Sequence, residues 1–142
     1  MCSAHRAVRG VSAAILPNDD AVSLLDMEAS IEHLGRATPQ GVDVMLVVVE
    51  PYYRALETAS RIAPLARQLG IPRLLTIANK VRDNEDSRVI REFCKSHELD
   101  LALEVPFDEA VREADRQGRS LIDVSPDAIT VAKVRELAGV LS

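Results

Sequence analysis

The sequence predicts an α/β fold with a parallel sheet in a three-layer α/β/α arrangement. Three apolar, branched runs at Val44–Val49, 73–78 and 101–105 are each followed by a segment with helical periodicity. A shorter apolar run at 22–26 precedes them. Regular alternation of strands and helices is typical of parallel sheets with right-handed crossovers. With no change of composition along the chain, residues 1–142 are expected to form one domain.

The run Val44–Val49 carries no polar residue. Strands that are apolar on both faces are buried on both faces, so we expect this strand to lie in the middle of the sheet. Of the other strands, the run at 22–26 ends in Asp26, the run at 73–78 in Asn79 and Lys80, and the run at 101–105 in Pro106.

Helical periodicity predicts helices at 3–16, from Ile31, at 53–69, from 84, at 109–117 and from 125. Pro64 interrupts the third helix, and Gly70 is placed to end it. Asn84 is the expected N-cap of the fourth. The positions expected to face inward are Val89, Ile90, Phe93 and Cys94 in the fourth helix and Val131, Val134, Ala138 and Leu141 in the last.

Composition excludes several classes of function. The net charge is −5 and only 3% of residues are aromatic, so neither a basic footprint nor stacking platforms for nucleic acid are present. No apolar run approaches the roughly 18 residues of a membrane span. Two scattered cysteines and an N-terminus without an apolar signal region predict a reducing, cytoplasmic location.

Asp26 is the first candidate functional residue, because phosphate and metal chemistry is found at the carboxyl ends of strands in open α/β sheets. Such an acid usually works beside a glycine loop of the form G-x-x-x-x-G-K-[ST]. The six glycines of this chain never form that pattern. A site that contacts only the base of a nucleotide, without such a loop for the phosphates, is expected to bind at about millimolar strength.

Four segments resemble the carboxyl-terminal part of the ParA/MinD-like deviant-Walker ATPases, and within them the CooC-like nickel-insertion proteins of carbon monoxide dehydrogenase. They are LLDMEASIEHLGR at 24–36, VVVEP at 47–51, IANKV at 77–81 and VPFDEAVREADRQGRSL at 105–121. The resemblance implies a truncated P-loop NTPase-like fold without the P-loop strand. ATP, Mg²⁺ and nickel or zinc are the cofactors and cargo that it implies.

The resemblance also implies site residues. Asp26 would hold a Mg²⁺-bound water, and the following loop would sense the γ-phosphate. Asn79 would read the adenine edge, Lys80 would belong to the same nucleotide site, and the segment after the last strand would line the base pocket. The sensing loop is Met27, Glu28, Ala29 and Ser30, where the family has glycine in place of Ser30; the pocket segment is Pro106, Phe107 and Asp108.

Several of these residues have a structural alternative. Asn79 also suits a turn at a strand end. Asp108 immediately precedes a helical pattern and is expected more often as an N-cap than as a ligand. Cys2 matches the second cysteine of the family's Cys-x-Cys pair, but a terminal thiol without a metal is the simpler interpretation. Cys94 is expected in the core, and His33 as a solvated loop residue.

Two functions remain open from the sequence. The first is a truncated or split CooC-like ATP-binding protein, acting in nickel-centre maturation for a metalloenzyme client. Its phosphate loop would come from an upstream frame, from an amino-terminal half in trans or through a homodimer, since Met1 could be an internal methionine. The second is a non-catalytic interaction module that keeps the half-fold without binding nucleotide.

Overall fold

The computed structural model describes residues 22–27 and 42–141. The elements within these ranges, in chain order, are β1 (Val44–Val49), α1 (Tyr53–Gln68), β2 (Arg73–Val81), α2 (Asn84–Ser96), β3 (Leu101–Pro106), α3 (Glu109–Arg116), α4 (Leu121–Val124) and α5 (Ile129–Leu141). The helices predicted at 3–16 and from Ile31 lie outside the described residues.

The chain divides into two compact units. One is formed by Leu46–Ala59 and Leu75–Ser142. It contains most of the sheet, the start of α1 and all the helices from α2 onward. The other takes residues 60–74 together with the described residues that precede Leu46.

The described sheet has three parallel strands in the order β1-β2-β3. The predicted α/β class and parallel sheet are therefore confirmed. The central position predicted for β1 is wrong in this sheet, because β1 occupies one edge and β2 the middle. Val48 is 60% exposed between the buried Val47 and Val49. Because successive side chains of a strand point to opposite faces, one face of β1 is partly uncovered at Val48.

The strand predicted at 22–26 is not formed. Residues 22–27 have no regular secondary structure, and Val22 and Leu24 are almost fully exposed. A strand is stabilised by main-chain hydrogen bonds to a neighbour, and these residues do not join the described sheet. An apolar sequence was therefore insufficient to define a strand here.

Helices cover the sheet on both faces. Ile77, Leu103 and Val105 form a buried cluster on one face, against which Leu46 and Leu137 of α5 pack. Side chains alternate across a strand, so Glu104 points to the opposite face. There its carboxylate accepts hydrogen bonds from Ser87 of α2. The three layers expected from the sequence are thus α5, the sheet and α2.

The ends of α1 and α2 differ by little from prediction. Gly70 has a φ of +73°, and the N–H of Ile71 donates to the carbonyl of Ala66. This is the Schellman ending expected of a glycine beyond a helix. The N-cap of α2 is Asp83 rather than Asn84, and its carboxylate accepts from the N–H of Asp86 at 2.9 Å.

The last helix differs more. Residues 125–128 do not belong to it, since α5 begins at Ile129, and the short helix α4 was not predicted. Of the four positions expected to face inward, only Val131 is buried. The other three, Val134, Ala138 and Leu141, are exposed. In α2, Ile90 and Cys94 are buried as predicted, Phe93 is half-buried and Val89 is exposed.

Within the described ranges, no helix has the length and apolar character needed to cross a lipid bilayer.

Candidate functional site

Polar and aromatic residues meet where the three parallel strands end. Glu50 directly follows β1, Asn79 and Lys80 lie near the end of β2, and Phe107 and Asp108 follow β3. The carboxyl ends of parallel strands share one edge of a sheet, and ligands of open α/β sheets bind there. The structure therefore brings together the residues predicted in the NK and PFD segments.

A bulge shapes the end of β2. Ala78 stands opposite Glu104 and Val81 opposite Pro106, so β2 has one more residue than β3 in this interval. The extra residue is accommodated around Lys80, whose φ is +58°, in the left-handed region that few non-glycine residues adopt. Bulges of this kind redirect side chains and are frequent beside functional sites.

Lys80 connects the ends of two strands. Its ammonium group lies 2.5 Å from a carboxylate oxygen of Glu50. The two side chains remain partly exposed, so the pair contributes little to stability, about 0–1 kcal/mol. Its effect is positional, because it directs the lysine toward the end of β1. Glu50 was not predicted as a site residue, although its place directly after an apolar strand was a usable signal.

Asn79 is half-buried at the same edge. Its side-chain oxygen accepts a hydrogen bond from the N–H of Lys80 at 3.0 Å. Its carboxamide nitrogen has no partner among the residues that the structure describes. The oxygen of Asn79 thus stabilises the turn, as the structural alternative predicted, and the nitrogen retains two N–H donors; the base-reading role stays a prediction.

Arg82 and Phe107 form a stacked pair beside this turn. The guanidinium carbon lies 4.7 Å from the centre of the aromatic ring. Both backbones are anchored: the N–H of Arg82 donates to Asp86, and that of Phe107 donates to the carbonyl of Val81. The pair presents a flat cationic and aromatic surface at the strand ends. Arg82 was missed in the sequence, since only the three-dimensional pairing distinguishes it from other exposed arginines.

Asp108 is an N-cap, as its structural alternative predicted. Its Oδ1 accepts from the N–H of Ala110 in α3 at 2.9 Å, and its Oδ2 from the N–H of Thr130 in α5 at 3.2 Å. Desolvation tends to raise the pKa of this carboxyl, but the bonds from Thr130 and Ala110 outweigh it and lower the pKa. Each oxygen is thus occupied by a backbone amide.

The residues predicted to form the switch are only partly covered by the described ranges. Asp26 is exposed and Met27 half-buried, in the irregular segment 22–27 that belongs to the other unit. Glu28, Ala29, Ser30 and Cys2 lie outside the described residues. Their predicted phosphate-sensing and metal roles stay predictions. Among residues 22–27 and 42–141, no three His, Cys, Asp or Glu side chains are grouped closely enough to hold a metal ion.

Comparison with known proteins decides the family. No family model matches the chain. It is 41% identical over 126 residues to the carbon monoxide dehydrogenase accessory protein CooC of Rhodospirillum rubrum, a match that covers 89% of this chain and 47% of that protein. An uncharacterized ATP-binding protein of Methanocaldococcus jannaschii is 39% identical over 138 residues, with 94% of this chain and 52% of the relative covered.

The chain belongs to the CooC-like group of ParA/MinD-type ATP-binding proteins. The resemblance carried by its LLDMEAS, NK and PFD segments is thereby confirmed at the level of the family. The chain spans about half the length of the curated relatives that it matches.

Solved structures agree on the fold of this CooC-like chain. A ParA family ATPase from Chlorobium tepidum TLS matches with a TM-score of 0.66 and 23% identity, over 80% of this chain and 47% of that one. The MinD cell division protein of Aquifex aeolicus matches with a TM-score of 0.57 and 15% identity, over 70% of this chain and 45% of that one. At these identities the likeness establishes the fold alone.

Proposed function

We propose that these 142 residues form the base-recognition and switch portion of a CooC-like ATP-binding protein that serves nickel-centre maturation. The observation that carries the proposal is the position of Asn79 near the carboxyl end of β2, with Arg82 paired to Phe107 just beyond the ends of β2 and β3. The identity with the accessory protein CooC supports the metallocentre role. A metalloenzyme is the client, and the working form is a dimer.

The groups at this edge suit a purine base. The carboxamide of Asn79 has two N–H donors without a partner among the described residues, and an adenine edge offers ring nitrogens as acceptors. The guanidinium of Arg82, whose central carbon lies 4.7 Å from the centre of the Phe107 ring, offers a planar group for stacking. Half-buried Pro106 and Phe107 supply apolar walls.

The triphosphate needs residues beyond these 142. Phosphate binding in such folds depends on backbone N–H groups of a glycine loop and a lysine, and no such loop occurs in this sequence. We infer that this loop comes from another segment, on the same polypeptide or on a second one. Once ATP is held, Asp26 would orient a water of its Mg²⁺ ion, which neutralises phosphate charge.

Nickel enters this proposal as cargo. Within the described residues no cluster of ligands fits it. Cys2 lies outside them, and a soft metal needs about four sulfur or imidazole ligands. Two copies of Cys2 in a dimer would supply only two, so a further pair of ligands is required.

A second candidate is an interaction module without nucleotide. One observation favours it: the charged groups of Asp108 and Lys80 already have internal partners. Both oxygens of Asp108 accept backbone amides, and the ammonium of Lys80 is paired with Glu50. A site whose charged groups are all satisfied gains less from a ligand.

Calorimetric titration of ATP–Mg²⁺ separates the two candidates. The chain alone should bind at about millimolar strength or weaker. Co-expression with the portion of the R. rubrum CooC protein that the match leaves uncovered should give micromolar binding. The Asn79→Ala variant of the reconstituted complex is the control for base recognition. Micromolar binding by the chain alone would contradict the proposal, and a formed complex without nucleotide affinity would favour the interaction module.

A further inference from the structure

Glu50 keeps a hydrogen-bond acceptor available at the carboxyl edge of the sheet. Its Oε1 atom accepts from the ammonium group of Lys80 at 2.5 Å. Its Oε2 atom has no partner among the residues that the structure describes. In the ion pair between Glu92 and Arg88, by contrast, both carboxylate oxygens are bonded. The side chain of Glu50 is 32% exposed, so part of it remains accessible to a ligand.

The other acceptor side chains assigned to this edge already have donors. Both oxygens of Asp108 accept backbone N–H groups. The side-chain oxygen of Asn79 accepts from the N–H of Lys80. A ligand that brings hydroxyl groups to these strand ends would therefore find its best acceptor in the second oxygen of Glu50.

Glu50 lies on the strand next to the one that carries the proposed base reader. It directly follows β1, β1 neighbours β2, and Asn79 lies near the end of β2. The contact with Lys80 shows that the two strand ends are within the reach of one side chain. Arg82 pairs with Phe107 just beyond the ends of β2 and β3. A base bound at Asn79 thus has the stacked pair toward β3 and the carboxylate toward β1.

A ribose matches the chemistry on the β1 side. Its 2′- and 3′-hydroxyl groups can donate hydrogen bonds, whereas an ionised carboxylate can only accept them. A hydrogen bond from a hydroxyl to a carboxylate is about twice as strong as one between neutral groups. In dinucleotide-binding α/β folds, an acidic side chain accepts from a ribose hydroxyl in this manner.

The pair with Lys80 makes a carboxylate compatible with a nucleotide. An unpaired carboxylate would repel the phosphate groups, because like charges interact strongly at short distance near a protein surface. The ammonium of Lys80 compensates the charge of Glu50 through one oxygen and leaves the other as an acceptor. The pair is therefore neutral as a whole and still able to bind a sugar hydroxyl.

We propose that Glu50 is the ribose-recognition residue of the nucleotide site. Its Oε2 atom accepts a hydrogen bond from the 2′- or the 3′-hydroxyl group, while Lys80 holds the carboxylate through Oε1. The inference rests on the proposed function and adds the sugar to the base bound at Asn79. It makes the site selective for ribonucleosides over their deoxy analogues.

Nucleosides test this contact on the chain alone, because they carry no phosphate and need no phosphate loop. Ligand-observed NMR titrations compare adenosine with 2′-deoxyadenosine, 3′-deoxyadenosine and adenine. Adenosine should bind about fivefold more tightly than at least one deoxy analogue, which loses the hydrogen bond. In Glu50→Ala, adenosine should bind as weakly as that analogue, while adenine should bind as it does to the unmodified chain. Equal binding of adenosine and both analogues by the unmodified chain would overturn the proposal.

Two further variants exclude indirect effects. Glu92→Ala is the matched control, since Glu92 is also paired with a basic side chain but lies within α2. It should retain the full preference for adenosine. Glu50→Gln keeps the shape of the side chain and one oxygen but removes the charge, so its preference should fall to about twofold. An unchanged preference in Glu50→Gln would overturn the role of the carboxylate.

Lys80→Met separates a direct contact from a positioning effect. It removes the partner of Glu50 and leaves the carboxylate, so the ratio between adenosine and its deoxy analogue should persist whatever the absolute affinity. A ratio lost as completely as in Glu50→Ala would show that Glu50 acts only through Lys80 and would overturn the proposal.

Failure of the ribose contact can be told from failure of the proposed function. The reconstituted complex should show the same preference for ATP over its 2′- or 3′-deoxy analogue. Binding of adenine or ATP without any such preference would overturn the ribose contact and leave base recognition in place. If the chain binds none of the nucleosides and the complex binds no ATP, the proposed function fails and the ribose contact with it.

Discussion

The Oδ2 atom of Asp108 accepts a hydrogen bond from the backbone N–H of Thr130, 22 residues further along the chain, at 3.2 Å. The other oxygen accepts from Ala110. One carboxylate thus caps α3 locally and holds the first turn of α5 beside it. Because α5 packs on the sheet through Leu137, this residue joins the functional edge to the core. The base-pocket role predicted for Asp108 therefore depends on a structural one.

Replacing Asp108 should reveal both caps. Losing an N-cap typically costs 0.5–2 kcal/mol, so Asp108→Ala should lower the free energy of unfolding by about 2 kcal/mol. Asp108→Asn keeps one strong acceptor and should lose about half as much. Asp115→Ala, on the exposed end of α3, is the control and should have little effect. Urea denaturation measures all three, and equal stability of Asp108→Ala and the control would contradict the double cap.

The same residue makes a contribution that depends on pH. Its hydrogen bonds lower the pKa of Asp108 in the folded chain. A lowered pKa stabilises the folded state above the ordinary carboxyl pKa of about 4, and that stabilisation is lost as the pH falls through the folded value. The difference in unfolding free energy between the unmodified chain and Asp108→Ala should therefore shrink in acid. A difference that grows as the pH falls would contradict the direction of the shift.

The sequence predicted the described elements better than their surroundings. The pattern of apolar and polar residues, together with the residues that end each element, located β2, α2 and β3. Each of them has the periodicity of its own type of secondary structure. The apolar pattern of β1 predicted a central strand buried on both faces, but β1 lies at an edge of the described sheet and Val48 is exposed on one face. Residues 22–26 are also apolar, yet they form no strand. An apolar run indicates that a strand needs neighbours to cover it, but it does not show whether those neighbours are present.

The residues of the candidate site also divide into those that the sequence predicted and those that it did not. Asn79 and Asp108 were predictable because their residue types suit strand ends and helix starts. Arg82 and Glu50 were missed, since an arginine stacked on Phe107 and a glutamate paired with Lys80 are relationships between distant segments. Arg82 has no local signature, and the position of Glu50 directly after an apolar strand does not reveal its partner, because only the packing of the strand ends forms these two pairs.

Asn79 should matter equally for every adenine nucleotide. In the reconstituted protein, Asn79→Ala removes donors that contact the base and leaves the phosphates untouched. ATP and ADP should both bind about tenfold more weakly, which corresponds to about 1.4 kcal/mol. Asn84→Ala, at the exposed start of α2, is the control. Calorimetry that finds a loss for ATP alone would assign Asn79 to the phosphate end of the nucleotide and contradict base recognition.

Arg82 and Phe107 should be energetically coupled. Cation–π pairs at exposed sites contribute about 0.5–1 kcal/mol. A double-mutant cycle with Arg82→Ala and Phe107→Leu should return a coupling energy of that size in urea denaturation. Arg112→Ala, an exposed arginine paired with Glu109 in α3, provides the control cycle with Phe107→Leu. Coupling in the control cycle as large as in the first would show that the value does not report the stacked pair.

Cys94 should be chemically inert in the folded chain. Desolvation by burial raises the pKa of its thiol, and the charge of Glu104 raises it further. The thiolate is the reactive form, so alkylation near pH 8 should be much slower than for an exposed cysteine. A Cys2→Ser background isolates this thiol, and the same protein in denaturing urea is the control. Alkylation at equal rates in both conditions would contradict the buried position.

Ile90 provides the most direct test of the core between α2 and the sheet. Its side chain is fully buried, whereas that of Val89, one residue earlier, is exposed. Truncating a buried isoleucine removes apolar contacts and leaves a cavity, so Ile90→Ala should lower the free energy of unfolding by about 3 kcal/mol. Val89→Ala removes less buried surface and should cost about 0.5 kcal/mol. Urea denaturation of the two variants should therefore separate them widely, and similar losses would place α2 in a different rotation on the sheet.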